Sequence, residues 1–299
     1  MRKALIIGGT GFVGVHLQRL MLQSFAVTAT GRDSDLRDGD QVRRLVAGVA
    51  PDIVINLASI TTVRESFANP HETYRIGFLG TLNLLTALKE LGFKGRMLNV
   101  SSSEIYGHPE ETELPLTERS PARPMSPYAV SKSATEQLCF QWSQTEQFEI
   151  VTTRPFTHIG PGQSDRFAIS NFSKQIAEIT LGRREPVIRV GNLETTRDFT
   201  DVRDVAGAYM MLLAKGRSGE AYNVCSGREV SMGAVLEQLI GHAKIDVRVE
   251  QDPALVRDAE QWRIVGSYEK LNRDTGWDPQ VPLEKTLGDT LLHWLEQIK

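Results

Sequence analysis

The stretch ALIIGGTGFVG, residues 4–14, leaves the chain few folds to adopt. An unbroken apolar run ends at Gly8, Gly11 and Gly14 follow at three-residue intervals, and a helical pattern, FVGVHLQRLM, begins at Phe12. A continuous apolar run marks a strand covered on both faces, as in a parallel sheet. Glycines directly behind it permit a tight turn and close backbone approach to a ligand, and a helix starting there presents N–H groups to an anion. The spacing is GxxGxxG rather than the commoner GxGxxG. The segment therefore predicts a strand, a pyrophosphate-binding turn and a helix, with Gly8, Gly11, Phe12, Val13 and Gly14 against a dinucleotide.

The alternation continues. FAVTAT, DIVINLA, GRMLNVSS and EIVTTRP read as further strands, and TLNLLTALKELG as a helix with Leu82, Leu85 and Leu88 on one face and Gly92 as its stop. Strands alternating with helices imply right-handed crossovers and a doubly wound parallel sheet, an α/β fold. From residue 156 glycines and prolines punctuate shorter elements, with late helices at SMGAVLEQLI and PLEKTLGDTLLHWLEQ. The expected division is a dinucleotide domain of 1–155 plus about 196–226, and a smaller interleaved α+β lobe of 156–195 plus 227–299.

Composition narrows the partners. A chain of 299 residues with net charge −3 has no broad basic field, so neither nucleic acid nor a membrane surface is an expected partner. No run approaches the roughly 18–20 apolar residues of a membrane span, and MRKALIIGGTGF lacks the long apolar core of a signal peptide. Cys139 and Cys225 have no metal-ligand spacing and read as buried thiols in a reducing cytoplasm. The six histidines form no metal spacing either, so no metal is expected.

The second strand ends VTATGRDSD. An NAD site usually carries an acidic residue there for the ribose 2′-hydroxyl. Gly31 leaves room for a 2′-phosphate and Arg32 can clasp it, although Asp33 follows. NADPH is the expected cofactor, with NADH as the alternative.

SPYAVSK, residues 126–132, supplies proton chemistry. Ser126 reads as an N-cap and Pro127 as the first helical residue. Tyr128 and Lys132 are then i and i+4 on one face. A tyrosine pKa of about 10 is high for exchange near neutrality, and a nearby ammonium or oxidised nicotinamide favours the phenolate. NVSSSEIYG ends the fourth strand, where parallel sheets place ligand-contacting groups, so a serine there can bond a substrate oxygen.

A glycine turn, a strand-end serine and a YxxxK helix, in this order, resemble the extended short-chain dehydrogenase/reductase family over essentially the whole chain. The resemblance implies a Rossmann domain, with Ser102 as catalytic serine, Ser103 being one residue away, and Tyr128 and Lys132 as the catalytic tyrosine and its lysine. NLAS, Asn56 to Ser59, matches the cofactor-contacting end of the third strand, which brings in Leu57 and Ala58. RPFTHIGPGQ, VGNLETTRDFTDVRDV and YNVCSG resemble the GDP-sugar branch, most of all the GDP-6-deoxy-4-keto-D-mannose reductases that form GDP-D-rhamnose.

That branch implies a GDP-sugar substrate. Arg197 and Arg257 would grip its diphosphate, Asn171 and Lys174 its phosphates and base, and Glu260 its ribose. Thr61, Ser103, Thr157 and His158 would face the hexose. Arg197 could instead pair with Asp198 or Asp201, and Arg203 and Asp204 read as fold contacts. Glu104 stands where dehydratases carry their glutamate. Two departures are Gly77, where relatives commonly have asparagine, and RDAEQW in place of RPxDVP. The implied enzyme is a cytoplasmic homodimer of polysaccharide biosynthesis, joined through residues about 70–91 and 127–146. It would reduce the C4 ketone of GDP-4-dehydro-6-deoxy-D-mannose, with Tyr128 as proton donor. The alternatives left open are a GDP-mannose 4,6-dehydratase, a 4-epimerase and a non-catalytic dinucleotide-binding regulator.

Overall fold

The computed structural model describes residues 1–31, 33–60, 62–256 and 262–299. Six strands, β1 (Arg2–Ile7), β2 (Phe25–Ala29), β3 (Ile53–Asn56), β4 (Arg96–Val100), β5 (Glu149–Pro155) and, late in the chain, β9 (Ala221–Val224), form one sheet in the order β2-β1-β3-β4-β5-β9. Every pairing in it is parallel. Five further strands lie outside it among the described residues: β6 (Thr157–Ile159), β7 (Val187–Val190), β8 (Thr196–Asp201), β10 (Glu229–Ser231) and β11 (Arg248–Gln251). The helices are α1 (Phe12–Met21), α2 (Gly39–Val49), α3 (Val63–Ala68), α4 (Pro70–Tyr74), α5 (Gly80–Glu90), α6 (Pro127–Thr145), α7 (Ala168–Thr180), α8 (Val202–Lys215), α9 (Met232–Ala243), α10 (Glu269–Thr275) and α11 (Leu283–Ile298).

The apolar runs are continuous because both sheet faces are covered. Leu5, Ile7, Val54, Met97 and Ile150 pack with Leu84 and Leu88 of α5 and Val42 and Val46 of α2. Their neighbours Ile6, Ile53, Ile55, Leu98 and Val151 pack on the opposite face with Leu17 of α1 and Tyr209 and Leu212 of α8. Adjacent side chains alternate between faces, so a strand buried twice needs apolar residues at every position.

Three details differ from the sequence reading. The buried face of α5 is Thr81, Leu84, Leu85 and Leu88, with Leu82 only half-buried on its flank. The helix is wedged between α2 and the sheet, so its apolar stripe is wider than one row. Strand β8, expected with the large sheet, hydrogen-bonds instead between β6 and β10 in a three-stranded sheet of the smaller lobe. Leu271 of α10 and the nearby Trp277, expected in the smaller lobe, pack against the large sheet's α8 side.

The smaller lobe has its own core, formed by Ile169, Phe172 and Ile176 of α7, Leu236 and Leu239 of α9, and Leu287 and Leu291 of α11. No described helix is long and apolar enough to cross a membrane.

Candidate active site

The strand order of the large sheet reverses between β1 and β3, and ligands of such sheets bind in the crevice at the strand ends there. Gly8 ends β1 at that point with φ +74°, a conformation that costs glycine nothing. A Cβ on Gly8 would lie 3.1 Å from the Ala58 nitrogen and 3.2 Å from the Leu57 carbonyl carbon, so the ends of β1 and β3 are in backbone contact. Gly11 is the N-cap of α1 in extended conformation, and its amide donates to the Gly8 carbonyl at 3.1 Å. The first-turn amides of α1 have no partner within the helix, and that turn carries no acidic side chain. Gly14 allows α1 to approach the turn, since a Cβ there would sit 2.2 Å from the Gly9 carbonyl oxygen.

At the end of β2 a Cβ on Gly31 would lie 2.5 Å from the Thr10 hydroxyl, so the strand end abuts the turn. The Gly31 amide donates to Asp33 Oδ1 at 3.0 Å, which makes Asp33 a cap of this loop. Arg32, Thr61, Arg257 and Glu260 lie outside the described residues.

The residues expected to handle the proton lie on neighbouring elements. Ser126 Oγ accepts from the Ala129 amide at 3.1 Å and Pro127 occupies the first turn, so the cap and its proline set where α6 begins. Ser102 accepts from the Glu104 amide at 3.2 Å, as N-cap of the turn Ser103–Tyr106, and its hydroxyl lowers the Tyr128 pKa. Ser103 is the buried first residue of that turn.

Lys132 is buried, donates from Nζ to the Val100 carbonyl at 2.6 Å and lies 5.8 Å from the Tyr128 ring centre. Burial pushes its ammonium down to about 8, against the opposing charge of Glu136. Burial likewise pushes the Tyr128 phenol up to about 12; the nearby Ser102 hydroxyl opposes this and the Glu104 carboxylate adds to it. The ammonium was expected to favour the phenolate. It is held by the Val100 carbonyl, and desolvation dominates the tyrosine.

The segment after β5 closes the site against α1. His158 stacks on Phe12 with ring centres 6.0 Å apart and planes 7° from parallel. Its Nδ1 donates to the Phe156 carbonyl at 3.0 Å, and burial lowers its pKa, so the ring is neutral. His16 of α1 donates from Nε2 to the Pro161 carbonyl at 2.9 Å. Thr157, half-buried, pairs with Phe199 of β8.

Substrate-side residues are held in pieces. Lys174 of α7 pairs with Asp165 at 2.6 Å and lies over the Trp294 ring at 5.5 Å. Asn171 donates to the Asp165 carbonyl at 3.2 Å and accepts from Gln175 at 2.6 Å. Arg197 donates to the Thr196 carbonyl at 2.7 Å. Its two suggested acidic partners are engaged elsewhere: Asp198 accepts from Ser226, Gly227 and Gly266, and Asp201 pairs with Arg203 at 2.7 Å. Arg203 also holds Asp289, and Asp204 accepts from the Gln280 and Val281 amides, so both are fold contacts. Among the described residues no group of three or more His, Cys, Asp or Glu could hold a metal.

The departure at Gly77 has a structural counterpart. Gly77 lies in a π-helical turn, Arg75–Leu79, and a Cβ there would meet the Ser131 hydroxyl at 2.2 Å. The Gly77 carbonyl accepts from Thr81 at 2.6 Å and from Thr135 at 3.4 Å, so a side chain at 77 would disturb α6 one residue before Lys132.

Sequence reasoning passed over Thr10, His16 and the buried pair Glu136–Arg154 at 2.7 Å. Glu136 carried a legible signal: it follows Lys132 by one helical turn on the same face.

The sequence and the fold have known relatives. The family described as GDP-mannose 4,6 dehydratase matches residues 27–290. The chain is 41% identical over 301 residues to the GDP-6-deoxy-D-mannose reductase of Pseudomonas aeruginosa, covering 100% of this chain and 99% of that protein. It is 26% identical to the GDP-mannose 4,6-dehydratase of Yersinia enterocolitica, covering 100% of this chain and 95% of that protein. The structure of RMD from Pseudomonas aeruginosa complexed with NADPH superposes with a TM-score of 0.92 at 40% identity, covering 99% of each chain. A family match across most of the chain and a full-length relative at this identity make it a member of the GDP-mannose 4,6-dehydratase family of nucleotide-sugar enzymes.

Proposed function

We propose that this protein reduces the C4 ketone of GDP-4-dehydro-6-deoxy-D-mannose with NADPH, giving GDP-D-rhamnose. The observation that carries the reading is Tyr128 beside Lys132, whose Nζ lies 5.8 Å from the tyrosine ring centre, in a chain 41% identical along its length to a GDP-6-deoxy-D-mannose reductase. NADPH fits the residues present. The amides of Phe12, Val13 and Gly14 at the start of α1 suit its diphosphate, and Gly31 leaves space beside the adenosine ribose. Leu57 and Ala58 line the crevice, and the Lys132 ammonium suits the nicotinamide ribose. When bound, NADPH supplies the hydride that reduces C4.

The chain's own residues handle the proton. A phenol pushed up to about 12 is fully protonated at neutral pH, the form a reductase needs. Tyr128 gives its proton to the C4 oxygen as negative charge develops there, Ser102 orients that oxygen, and solvent reprotonates the tyrosine. In this reading the large-sheet domain holds the dinucleotide, and the smaller lobe holds the GDP-sugar through Asn171, Lys174 and Arg197. Thr157 and Ser103 face the hexose.

The test offers purified protein NADPH with GDP-4-dehydro-6-deoxymannose, and separately GDP-mannose alone, with products identified by NMR. Oxidation of NADPH to give GDP-D-rhamnose is the expected result. A 4-keto product from GDP-mannose alone would replace this reading with dehydration, in which Glu104 would act beside Tyr128.

Lys132 sets a pH limb. Its ammonium, pushed down from 10.5 to about 8, is charged below that pH and neutral above it. Above about pH 8, kcat/KM for NADPH should therefore fall by about tenfold per unit, and Lys132→Arg should remove that limb. A wild-type profile flat to about pH 9.5 would show that the charge is not used.

The proposal includes a homodimer. Tyr74 and Leu79 from residues 70–91 and Val130 and Phe140 of α6 are large, exposed and apolar. Light scattering should give twice 33.3 kDa, and Leu79→Glu with Val130→Glu should give the monomer.

A further inference from the structure

We propose that Glu136 and Arg154 form a positioning pair for this reaction, fixing the helix that carries Tyr128 and Lys132 against the turn that carries Ser102. The proposal rests on the reductase reading above. Neither residue touches the reacting groups. Their role follows from what a single guanidinium joins.

Arg154 lies on β5 and is almost buried, as is Glu136. Its Nε donates to both Glu136 carboxylate oxygens at 3.1 Å, and its NH2 nitrogen donates to Oε2 at 2.7 Å. The NH1 nitrogen donates to the Tyr106 hydroxyl at 3.0 Å and to the Glu118 carbonyl at 3.1 Å. Tyr106 passes the chain on, donating to Asn223 Oδ1 of β9 at 2.6 Å. Asn223 returns it, its amide donating to Glu118 Oε1 at 2.8 Å and its side chain to the Leu116 carbonyl at 3.0 Å. One cation thus binds α6, β5, β9, the 116–118 segment and the Ser103–Tyr106 turn.

The two catalytic elements are each held at two points. Tyr128, Lys132 and Glu136 are spaced i, i+4 and i+8 on α6, so they share a face. Ser102 and Tyr106 bracket the other element. At the near end Lys132 bonds the Val100 carbonyl, two residues before Ser102, at 2.6 Å; at the far end Arg154 joins Glu136 to Tyr106. Two points fix both separation and rotation, and one point leaves the helix able to roll. A buried ion pair is weak evidence for stability, because apolar residues of similar volume often serve as well. Arginine's planar fork does something apolar residues cannot, which is to set direction along several bonds at once.

The same pair bears on Lys132. The groups facing that ammonium are the Tyr128 ring, the Val100 carbonyl of β4, and Glu136 and Cys139 on its own helix. Cys139 is buried and neutral, so Glu136 is the carboxylate that opposes the desolvation of Lys132.

The experiment compares wild type, Glu136→Gln, Tyr106→Phe and, as control, Asp274→Asn. Asp274 holds Arg217 and the Tyr222 hydroxyl, neither of which is a hydrogen-bond partner of Glu136, Arg154 or Tyr106. Glu136→Gln should lower kcat by about tenfold or more with little change in KM for the sugar. Its alkaline break, read by NMR titration of Lys132 as well as by rate, should move below that of wild type. Tyr106→Phe frees the turn but keeps the ion pair, and should lower kcat by about threefold to tenfold. Asp274→Asn should lower the melting temperature and leave kcat within about twofold of wild type. If Glu136→Gln or Tyr106→Phe melts earlier yet keeps the wild-type kcat and Lys132 titration, the pair is structural and the proposal is overturned. If Glu136→Gln does not fold, Tyr106→Phe decides alone. A wild type without reductase activity defeats the reductase reading, while the Lys132 titration still tests the coupling to Glu136.

Discussion

Tyr128→Phe should lower kcat by about 10²–10⁴-fold and leave NADPH binding nearly unchanged. The substitution removes one hydroxyl from a half-buried ring that starts a helix capped by Ser126, so the fold has little reason to move. What disappears is a proton. Burial holds that phenol up to about 12, so at neutral pH it is loaded. Phenylalanine leaves the developing alkoxide without a donor, and water cannot be positioned in the same way. The measurement is single-turnover oxidation of NADPH with saturating sugar, beside a fluorescence titration of NADPH. A variant within tenfold of wild type would mean that another group supplies the proton. A large loss of NADPH affinity would mean that the ring, not the hydroxyl, is the working part.

Gly14→Ala should destabilise the protein by about 2–3 kcal/mol and weaken NADPH binding by about tenfold or more. The added Cβ would lie 2.2 Å from the Gly9 oxygen and 2.5 Å from its carbonyl carbon. Both are backbone atoms of the phosphate turn itself, so no side-chain rotation relieves the clash. Either α1 retreats or the turn opens, and each displaces the first-turn amides from an anion. Gly48→Ala is the matched control. Gly48 lies inside α2, and a Cβ there meets nothing within 4 Å. That substitution should stabilise by up to about 1 kcal/mol through helix propensity, so the same change has opposite signs at the two sites. Denaturant midpoints and NADPH titrations of both variants check this. A Gly14→Ala protein as stable as wild type would show that the turn has slack the geometry denies.

Some features were legible because they are local. The glycine turn, the N-cap with its proline, and the tyrosine–lysine spacing each fit within about a dozen residues, and backbone geometry over such a span leaves few options. The strands were legible because burial on both faces removes polar residues from them. The serine register was not, since Ser102 and Ser103 are neighbours at the start of one turn, and local pattern does not separate them. The lobe boundary near residue 196 was not legible, because TRDFTD is equally compatible with either sheet; its neighbours β6 and β10 decide which it joins.

By itself, the sequence determined the parallel sheet, the anion-binding turn and which side chains could move a proton. Tertiary structure alone decided how those side chains behave. Lys132 meets the Val100 carbonyl 32 residues away, and Arg154 reaches Glu136 across 18 residues and the Tyr106 hydroxyl across 48. Desolvation and directed hydrogen bonds depend on groups that only folding brings within a few ångströms, so pattern can name the tyrosine but not load it.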